Sequence, residues 1–452
     1  MTRVAPFIGT RYNPTAVGDL SKVMAPPYDV ISPEMQEAFY QKSPYNVVRM
    51  ILGKEEMGDD EYNNKYERAA SFLREWKNNG LLIDDPGKFF YIYQQEFQTA
   101  DKAVHVRTGI FAAIQLEGAG KGKILAHEHT FSGPKADRLK LLRSTRCNLS
   151  PIFCLYSDPE KESDRLIAEV VKKEAPRIEL KDDEGVIHRL WLMSDPLKIK
   201  SLAKRLQDLP FFIADGHHRY ETAVTYCQEM KKSKDVEDRR KTQPWSYTLS
   251  FLTNCEDDGL LILPTHRVLS AELGADVDHA EVLEDLAVFF DITPFQVNLK
   301  QPETEGVRIE KELRELGQGT TAFAMVLPGG KAYYLRLKKE ANLREEMVDP
   351  DVHEEVAQLD VSVLHQYILP QVWIGNPEME LDDQDIFYVK DSAKSLAMLN
   401  APTHASAVFL MNPPTMAQVR NIASHNLRMP HKSTYFYPKL LTGMVLRDHQ
   451  AE

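Results

Sequence analysis

Hydrophobic and polar positions repeat along this chain with two periods, one typical of helices and one typical of strands. Apolar side chains recur at helical spacing between Tyr66 and Trp76, and Gly80 follows where the C-terminal cap of a helix belongs. Residues 89–97 and 106–116 are rich in β-branched and aromatic side chains. That composition predicts two strands, which we expect to pair in the antiparallel sense.

The same two periods continue to alternate over the rest of the chain. Further strands are predicted at residues 124–126, 151–155, 186–193, 245–252, 260–263 and 406–411. Further helices are predicted at residues 160–173, 197–206, 279–290, 359–369 and 393–399. Residues 321–327 and 332–337 flank Gly329-Gly330 as a hairpin, and residues 235–241 are expected to form a charged surface loop. Because this alternation lacks a strict βαβ rhythm, the predicted fold class is α+β.

A change in composition near residue 270 predicts a domain boundary. Residues 1–269 are expected to form an N-terminal α+β domain that binds phosphate and carries the chemistry, and residues 270–452 a C-terminal α+β domain. The tail at residues 429–439 contains three aromatic residues beside two lysines. A frayed terminus rarely carries such residues, so we expect this tail to fold back and to complete the site.

Composition and net charge argue against several classes of protein. The chain has 452 residues, of which 43 % are hydrophobic and 27 % charged, as is usual for a protein with a sizeable core. A net charge of −12 argues against a surface that coats nucleic acid. No apolar run is long enough to cross a bilayer, and the four cysteines form no C-x-x-C pair. We therefore expect a cytoplasmic protein with a small-molecule substrate and no membrane partner, and leave a homodimer open.

The strongest candidate site is the run Asp215-Gly216-His217-His218-Arg219. An apolar strand leads through a glycine into a helix, whose first turn presents N–H groups and the positive end of a dipole to an anion. Arg219 can grip phosphate oxygens as a bidentate fork, together with the backbone at Gly216 and His217. His218 can act as a general acid or base, and Asp215 can bind Mg²⁺ or orient an imidazole. A purely structural turn is the competing interpretation.

A second polar cluster follows the predicted strand at residues 124–126. His127 and His129 occupy alternate positions of a strand, a spacing found in metal sites, with Glu128 between them. Lys135 and Arg138 lie a few residues further on and favour a phosphate pocket instead, in which Glu128 is a general base. A solvated strand end is the third interpretation.

Three shorter segments add to the candidate site. Tyr28 and Asp29 lie in a Pro-rich loop, either as site residues or as the approach to a helix that Ser32 caps. The other two segments combine hydroxyl and cationic groups at predicted strand ends, namely His266 and Arg267, then Lys432, Ser433, Thr434, Tyr437 and Lys439. P-loop, dinucleotide-binding, H-E-x-x-H and G-x-S-x-G motifs do not occur in the sequence. Several anion-binding clusters in an acidic protein indicate a negatively charged ligand.

At these residues the chain resembles a widespread prokaryotic family catalogued as a domain of unknown function. The matching motifs are P-P-Y-D-V-I-S at 26–32, E-H-T with K-x-D-R-L at 128–139, A-D-G-H-H-R-Y-E-T-A at 214–223, P-T-H-R at 264–267 and M-P-x-K-S-T-Y-F-Y-P-K at 429–439. The D-G-H-H-R stretch is similar to the phosphate-binding motif of the ParB/sulfiredoxin-like superfamily, which includes free serine kinases.

This resemblance implies a ParB/sulfiredoxin-like phosphate-binding core with an added α/β C-terminal region. It also implies a small-molecule phosphotransferase that phosphorylates L-serine with ATP, ADP or pyrophosphate and Mg²⁺. Residues 215–219 would then hold the donor phosphates, Asp29 or Glu128 would accept the hydroxyl proton, and Tyr28, His127, His129 and Tyr437 would contact the substrate. Two alternatives stay open: a metal-dependent hydrolase that uses His127, His129, His217 and His218, and a non-catalytic, ParB-like nucleotide-binding module.

Overall fold

The computed structural model describes residues 3–100, 102–118, 122–128, 130, 132–233, 243–275, 277–379, 381, 384–400 and 405–452. The charged loop predicted at residues 235–241 and the predicted substrate contact His129 lie outside these described residues. No helix within the described ranges is long and apolar enough to span a membrane.

Strands occur, unevenly spaced, along the whole described chain. In order they are β1 Val4–Ala5, β2 Thr10–Tyr12, β3 Leu82–Asp84, β4 Phe90–Gln98, β5 Val104–Gln115, β6 Ile124–Leu125, β7 Cys147–Asn148, β8 Ile152–Tyr156, β9 Ile178–Lys181, β10 Ile187–Met193, β11 Phe211–Asp215, β12 Tyr247–Asn254, β13 Leu261–Leu263, β14 His266–Leu269, β15 Phe290–Gln296, β16 Ala322–Val326, β17 Lys331–Leu337, β18 Ile386–Val389, β19 Ala407–Met411, β20 Tyr435–Tyr437 and β21 Arg447–Asp448.

Helices of very different length connect these strands. They are α1 Pro14–Val17, α2 Pro33–Lys42, α3 Val48–Ile51, α4 Lys65–Asn78, α5 Ser132–Thr145, α6 Glu162–Lys173, α7 Pro196–Leu206, α8 His217–Lys232, α9 His279–Phe289, α10 Pro302–Leu316, α11 Glu354–Ala357, α12 Asp360–Val363, α13 Ser392–Ala397 and α14 Met416–Ser424. Helix α12 continues as a π-helix over Leu364–Trp373. Helices and strands are mixed in this way throughout the described chain, which confirms the α+β class.

The chain divides into two compact units. Unit 1 consists of Met1–Ala126, Thr130–Leu261 and Pro438–Glu452, and unit 2 of His127–His129 and Ile262–Tyr437. Unit 1 is therefore built from segments that lie before and after most of unit 2 in the sequence. A boundary between independently folding domains at residue 269 stays a prediction.

Unit 1 is organised around a nine-stranded mixed sheet with the order β6-β11-β8-β12-β5-β4-β10-β9, and β1 pairs with β5. Strands β4 and β5 form the predicted antiparallel pair, with Tyr93 opposite Gly109. One face of the sheet packs alternate residues such as Ile92 and Ile110 against α6, α7 and part of α8. Because side chains alternate, Tyr93, Gln95 and their neighbours on β5 point to the opposite face.

The segment Pro438–Glu452 belongs to unit 1 and is tied to it by backbone pairs. Thr10 and Leu446 exchange two backbone hydrogen bonds, and Ala25 pairs with Thr442. Strand β21 pairs with β7. The segment beyond residue 437 is thus an integral part of unit 1, whereas the aromatic residues of the predicted tail, at 435–437, belong to unit 2.

Unit 2 contains a six-stranded antiparallel sheet with the order β15-β17-β16-β19-β14-β18. The predicted hairpin is β16–β17, and the glycines between these strands have φ of 80° and 82°. Apolar residues such as Ile309 and Leu313 of α10 cover one face of this sheet. Strand β15 and helices α10 and α14 were not predicted from the sequence pattern.

Arg447 holds the segment Pro438–Glu452 in unit 1 and is completely buried. It donates to the Glu452 carboxylate over 2.6 Å, to the Tyr247 and Pro244 carbonyls over 2.9 Å each, and to Asn148. We expect Arg447→Ala to lower the free energy of unfolding by about 3–5 kcal/mol, because it leaves a buried carboxylate and several carbonyls without their donor.

Urea unfolding, monitored by circular dichroism, measures this loss of stability. Lys172→Ala, at an exposed position of α6, is the matched control and should change stability by less than about 0.5 kcal/mol. An Arg447→Ala variant as stable as this control would show that the buried guanidinium does not hold the segment.

Candidate functional site

The centre of the candidate site is the turn between β11 and α8. The apolar run Phe211–Ala214 is buried between neighbouring strands, and an irregularity in the β11–β8 register falls between Ile213 and Asp215. Gly216 has φ of +91°, so it forms the left-handed step that lets α8 start at His217. No side chain caps this helix start, which leaves the N-terminal turn to other partners.

Asp215 forms ion pairs with two cations, Arg219 and Lys439. Its Oδ1 accepts a hydrogen bond from Lys439 Nζ over 2.5 Å, and its Oδ2 accepts one from Arg219. Burial would raise the pKa of Asp215, but the charges of Lys439 and Arg219 outweigh it and hold that pKa well below its ordinary value. The carboxylate is therefore ionised and links three segments of unit 1.

The sequence suggested that Arg219 grips phosphate as a bidentate fork, whereas in the structure its guanidinium group holds the turn together. One terminal nitrogen donates to Asp215 and the other to the Pro151 carbonyl, so both are used within the protein. The side chain is only 9 % exposed, and its Nε has no hydrogen-bond partner within the described part of the chain. Gly216 accommodates this arrangement, since a Cβ there would lie 2.9 Å from the Arg219 Cζ.

Asp29 is electrostatically coupled to this turn. It lies in a short 3₁₀ turn, Tyr28–Val30, whose Tyr28 ring packs 3.9 Å from the Arg138 guanidinium. Burial among surrounding protein raises the pKa of Asp29, and the negative charge of Asp215 adds to that effect, while Arg219 and Lys439 oppose it. The side chain is nevertheless solvent accessible. An accessible carboxylate with a raised pKa is suited to accept and release a proton.

Arg138 and Lys135 hold neighbouring structure in place. Arg138 donates to the Ile51 carbonyl over 2.6 Å and pairs with Asp137. Lys135 donates to Thr130 and to Glu221 over 3.0 Å each. Both cations therefore have protein partners in this arrangement, and their role as phosphate ligands stays a prediction.

The two histidines of the turn differ in exposure. His217 is buried. His218 is half-buried and faces Glu221 on the next turn of α8. Burial would raise the pKa of Glu221, but hydrogen bonds from Thr130 and Lys135 and the charge of His218 lower it.

Two residues of the site were missed from the sequence, Arg107 and Gln95. Arg107 is completely buried on β5, where it donates to Gln95 and, over 2.5 Å, to the Pro438 carbonyl. Gln95 donates to the Lys439 carbonyl over 2.9 Å. These contacts fix the backbone that carries Lys439 to Asp215. The available signal was an arginine within an apolar strand, a position where a charge needs a specific partner.

A second polar cluster lies within unit 2. The Thr434 hydroxyl lies 3.3 Å from His127 Nε2 and donates to Glu128 over 3.3 Å, and Glu128 pairs with Met429 in a parallel bridge. Ser433 donates to the Pro430 carbonyl, and the Lys390 ammonium lies 5.2 Å from the centre of the Tyr437 ring. The segments 127–128 and 429–434, far apart in sequence, thus meet in this unit.

The sequence placed His266 and Arg267 where a preceding strand ends; they are instead the first two residues of β14 and are completely buried. Arg267 donates to His365 Nε2 over 2.9 Å and to the Lys432 carbonyl over 3.2 Å. Burial, together with the charge of Arg267, lowers the pKa of His365 to about 3, so this imidazole is neutral and accepts the hydrogen bond. The P-T-H-R motif therefore braces the 429–434 segment from within the sheet.

The described residues contain no group of three or more His, Cys, Asp or Glu side chains placed to hold a metal ion. Asp215, the predicted metal ligand, has both carboxylate oxygens paired with cations. The described residues as arranged do not fit a resident Mg²⁺. The hydrolase alternative stays a prediction, because one of its four imidazoles, that of His129, lies outside the described residues.

A family model described as "Protein of unknown function (DUF1015)" matches residues 4–362. No curated protein matches the sequence. Among solved structures, a free serine kinase in complex with AMP has 12 % identity and a TM-score of 0.34, and the match covers 73 % of this chain and 86 % of that one. A conserved hypothetical protein from Pyrococcus furiosus has 13 % identity and a TM-score of 0.32, with 74 % and 92 % covered. TM-scores this low carry no argument about function.

The coupling between Asp29 and its neighbours predicts opposite shifts in two variants. Asp215→Asn removes a like charge and should lower the pKa of Asp29, whereas Lys439→Gln removes an opposite charge and should raise it. Carbon-13 NMR titration measures both, with the Asp29 signal identified by its loss in Asp29→Asn. An unchanged Asp29 pKa in both variants would disprove the coupling.

The contact between Gly216 and Arg219 predicts a larger cost for Gly216→Ala than for Gly80→Ala. Gly80 has a positive φ of +71° and open space around it, so alanine there should cost only the left-handed strain, about 1–2 kcal/mol. At Gly216 the added methyl group also displaces the guanidinium, which should cost at least about 1 kcal/mol more in urea unfolding. Equal losses would mean that Arg219 moves aside freely.

Proposed function

Because the chain belongs to the DUF1015 family, whose description states no activity, we propose a function from the chemistry of the Asp215 turn: a small-molecule phosphotransferase. A phosphoryl group would pass from ATP, ADP or pyrophosphate to the hydroxyl of a small acceptor, most concretely L-serine. The observation that carries this proposal is the solvent-accessible Asp29, whose pKa is raised, beside the cationic Asp215–Arg219–Lys439 cluster.

The donor phosphates bind at the start of α8 in this proposal. The first helical turn contributes N–H groups and a positive dipole end, and Gly216 allows a phosphate close approach to the backbone. Lys439 adds an ammonium group with three donors, which would turn from Asp215 to a phosphate oxygen. Arg219 contributes charge while its terminal nitrogens brace the turn. Phosphoryl transfer suits such a site because positioning and charge neutralisation supply most of the catalysis.

Asp29 is the general base. As the acceptor oxygen forms its bond to phosphorus and the bond to the leaving phosphate breaks, the hydroxyl proton moves to the Asp29 carboxylate. The raised pKa makes Asp29 a stronger base than an ordinary carboxylate. Glu128, the other predicted base, hydrogen-bonds with Thr434 in unit 2 and stays a prediction.

In this proposal Mg²⁺ arrives bound to the phosphates of the phosphoryl donor. Magnesium is commonly bound by substrate phosphates together with one or two carboxylates, and Asp215 already has cationic partners on both oxygens. We therefore assign no step of the reaction to a protein-held metal. A nucleotide-binding module without catalysis would use the same turn, and the two functions differ in whether a phosphorylated product forms.

The test is an assay of the purified protein with L-serine, Mg²⁺ and each of ATP, ADP and pyrophosphate, with phosphorus NMR to detect phosphoserine. We expect product with at least one donor, and a loss of about 10²–10⁴-fold in kcat for Asp29→Asn. Donor affinity, measured by calorimetry, should stay within about threefold in that variant, because Asp29 acts on the acceptor.

Asp208→Asn, an exposed aspartate shortly before β11, is the matched control and should retain wild-type activity. Asp215→Asn should weaken binding of nucleotide and pyrophosphate, because the turn loses its central ion pairs. The proposal fails if no donor yields phosphoserine and Asp215→Asn leaves donor binding unchanged.

A further inference from the structure

A small cavity lies beside Arg219, on the side of α8 that faces α5. Its volume is about 60 Å³, and its walls include Tyr28 and Arg219 together with the apolar side chains of Ile51, Leu141, Leu142 and Ala223. The described residues that line it include two arginines and no aspartate or glutamate. The cavity therefore favours an anionic or neutral group over an ammonium group.

One buried donor at this cavity lacks a partner. The terminal nitrogens of Arg219 donate hydrogen bonds to Asp215 and to the Pro151 carbonyl. Its Nε is buried and has no hydrogen-bond partner in the described part of the chain. A buried charged N–H group is costly unless an acceptor reaches it. Arg219 lines the cavity, so an oxygen of a ligand that displaces the packing over Nε is such an acceptor.

Size limits what this ligand can be. For comparison, an engineered apolar cavity of about 150 Å³ binds benzene. The cavity beside Arg219, at about 60 Å³, is less than half as large and admits a group of a few atoms but no ring. A nucleoside base or a sugar is thereby excluded, whereas a carboxylate fits.

The position of the cavity relates it to the proposed chemistry. Tyr28 lines the cavity, and the next residue in the same 3₁₀ turn is Asp29. A ligand whose carboxylate enters beside Arg219 therefore lies next to the short turn that carries Asp29.

We propose that this cavity binds the carboxylate of a small hydroxy acid, with Arg219 Nε donating to a carboxylate oxygen. The inference rests on the proposed phosphotransferase function and identifies the class of acceptor: a hydroxyl group one or two carbons from a carboxylate. Recognition through the carboxylate makes the amino group of serine dispensable. D-glycerate, which has the carboxylate and hydroxyl groups but no amine, is then also a ligand, and ethanolamine, which has no carboxylate, is not.

Calorimetry on the full chain tests this with L-serine, D-glycerate and ethanolamine, each with and without pyrophosphate. We expect the two carboxylates to bind and ethanolamine not to bind. Ala223→Val, which adds two methyl groups at the cavity wall, should weaken both carboxylates at least tenfold and leave pyrophosphate affinity unchanged. Ala203→Val on α7, which makes the same change away from the cavity, should leave all affinities unchanged.

The outcomes separate this inference from the proposed function. Equal binding of ethanolamine, no carboxylate binding by the wild type, or unchanged carboxylate affinity in Ala223→Val overturns the cavity assignment. If the wild type binds carboxylates but neither nucleotide nor pyrophosphate, the phosphotransferase proposal fails and the cavity assignment stands. Should Ala223→Val not fold, as judged by circular dichroism, Ala223→Ser adds a single atom and should give a smaller loss of the same kind.

Discussion

The Asp215 carboxylate is the constraint on which the arrangement of the candidate site depends. Two cations from different parts of unit 1 meet on it, Arg219 from the first turn of α8 and Lys439 from the segment Pro438–Glu452. A buried carboxylate needs such partners to remain ionised, and each cation in turn needs the carboxylate. Lys439 and Arg219 hold the pKa of Asp215 low, whereas burial and the negative charge of Asp215 raise the pKa of Asp29 against the same two cations.

Local pattern was enough to predict the turn itself. An apolar run followed by Asp-Gly and a helix-forming segment specifies β11, Gly216 and α8 within a few residues, and the antiparallel β4–β5 pair follows equally from composition. Pairing across long sequence separations was beyond such reasoning. Lys439 lies 224 residues from Asp215, and nothing in the local sequence of either residue indicates the other.

Cationic residues were the hardest to interpret from sequence, because their role depends on partners that only the fold supplies. Arg267 was expected at the end of a strand, in an anion-binding cluster, but is buried within β14, where His365 and backbone carbonyls accept from it. Arg138 and Lys135 were expected to bind phosphate but have carboxylate partners of their own. Arg107 was overlooked, although an arginine in an apolar strand is itself a sign of a specific polar contact.

The order of segments in unit 1 has a consequence for how the protein matures on the ribosome. Translation must pass through all of residues 262–437 before Lys439 and Arg447 are made, so the nascent chain cannot form the Asp215–Lys439 pair until unit 2 has been synthesised. Until then Arg107 and Gln95 lack the backbone carbonyls that they hold in the finished protein. A chain whose synthesis stops before residue 438 therefore contains the whole D-G-H-H-R turn yet lacks the lysine that neutralises it.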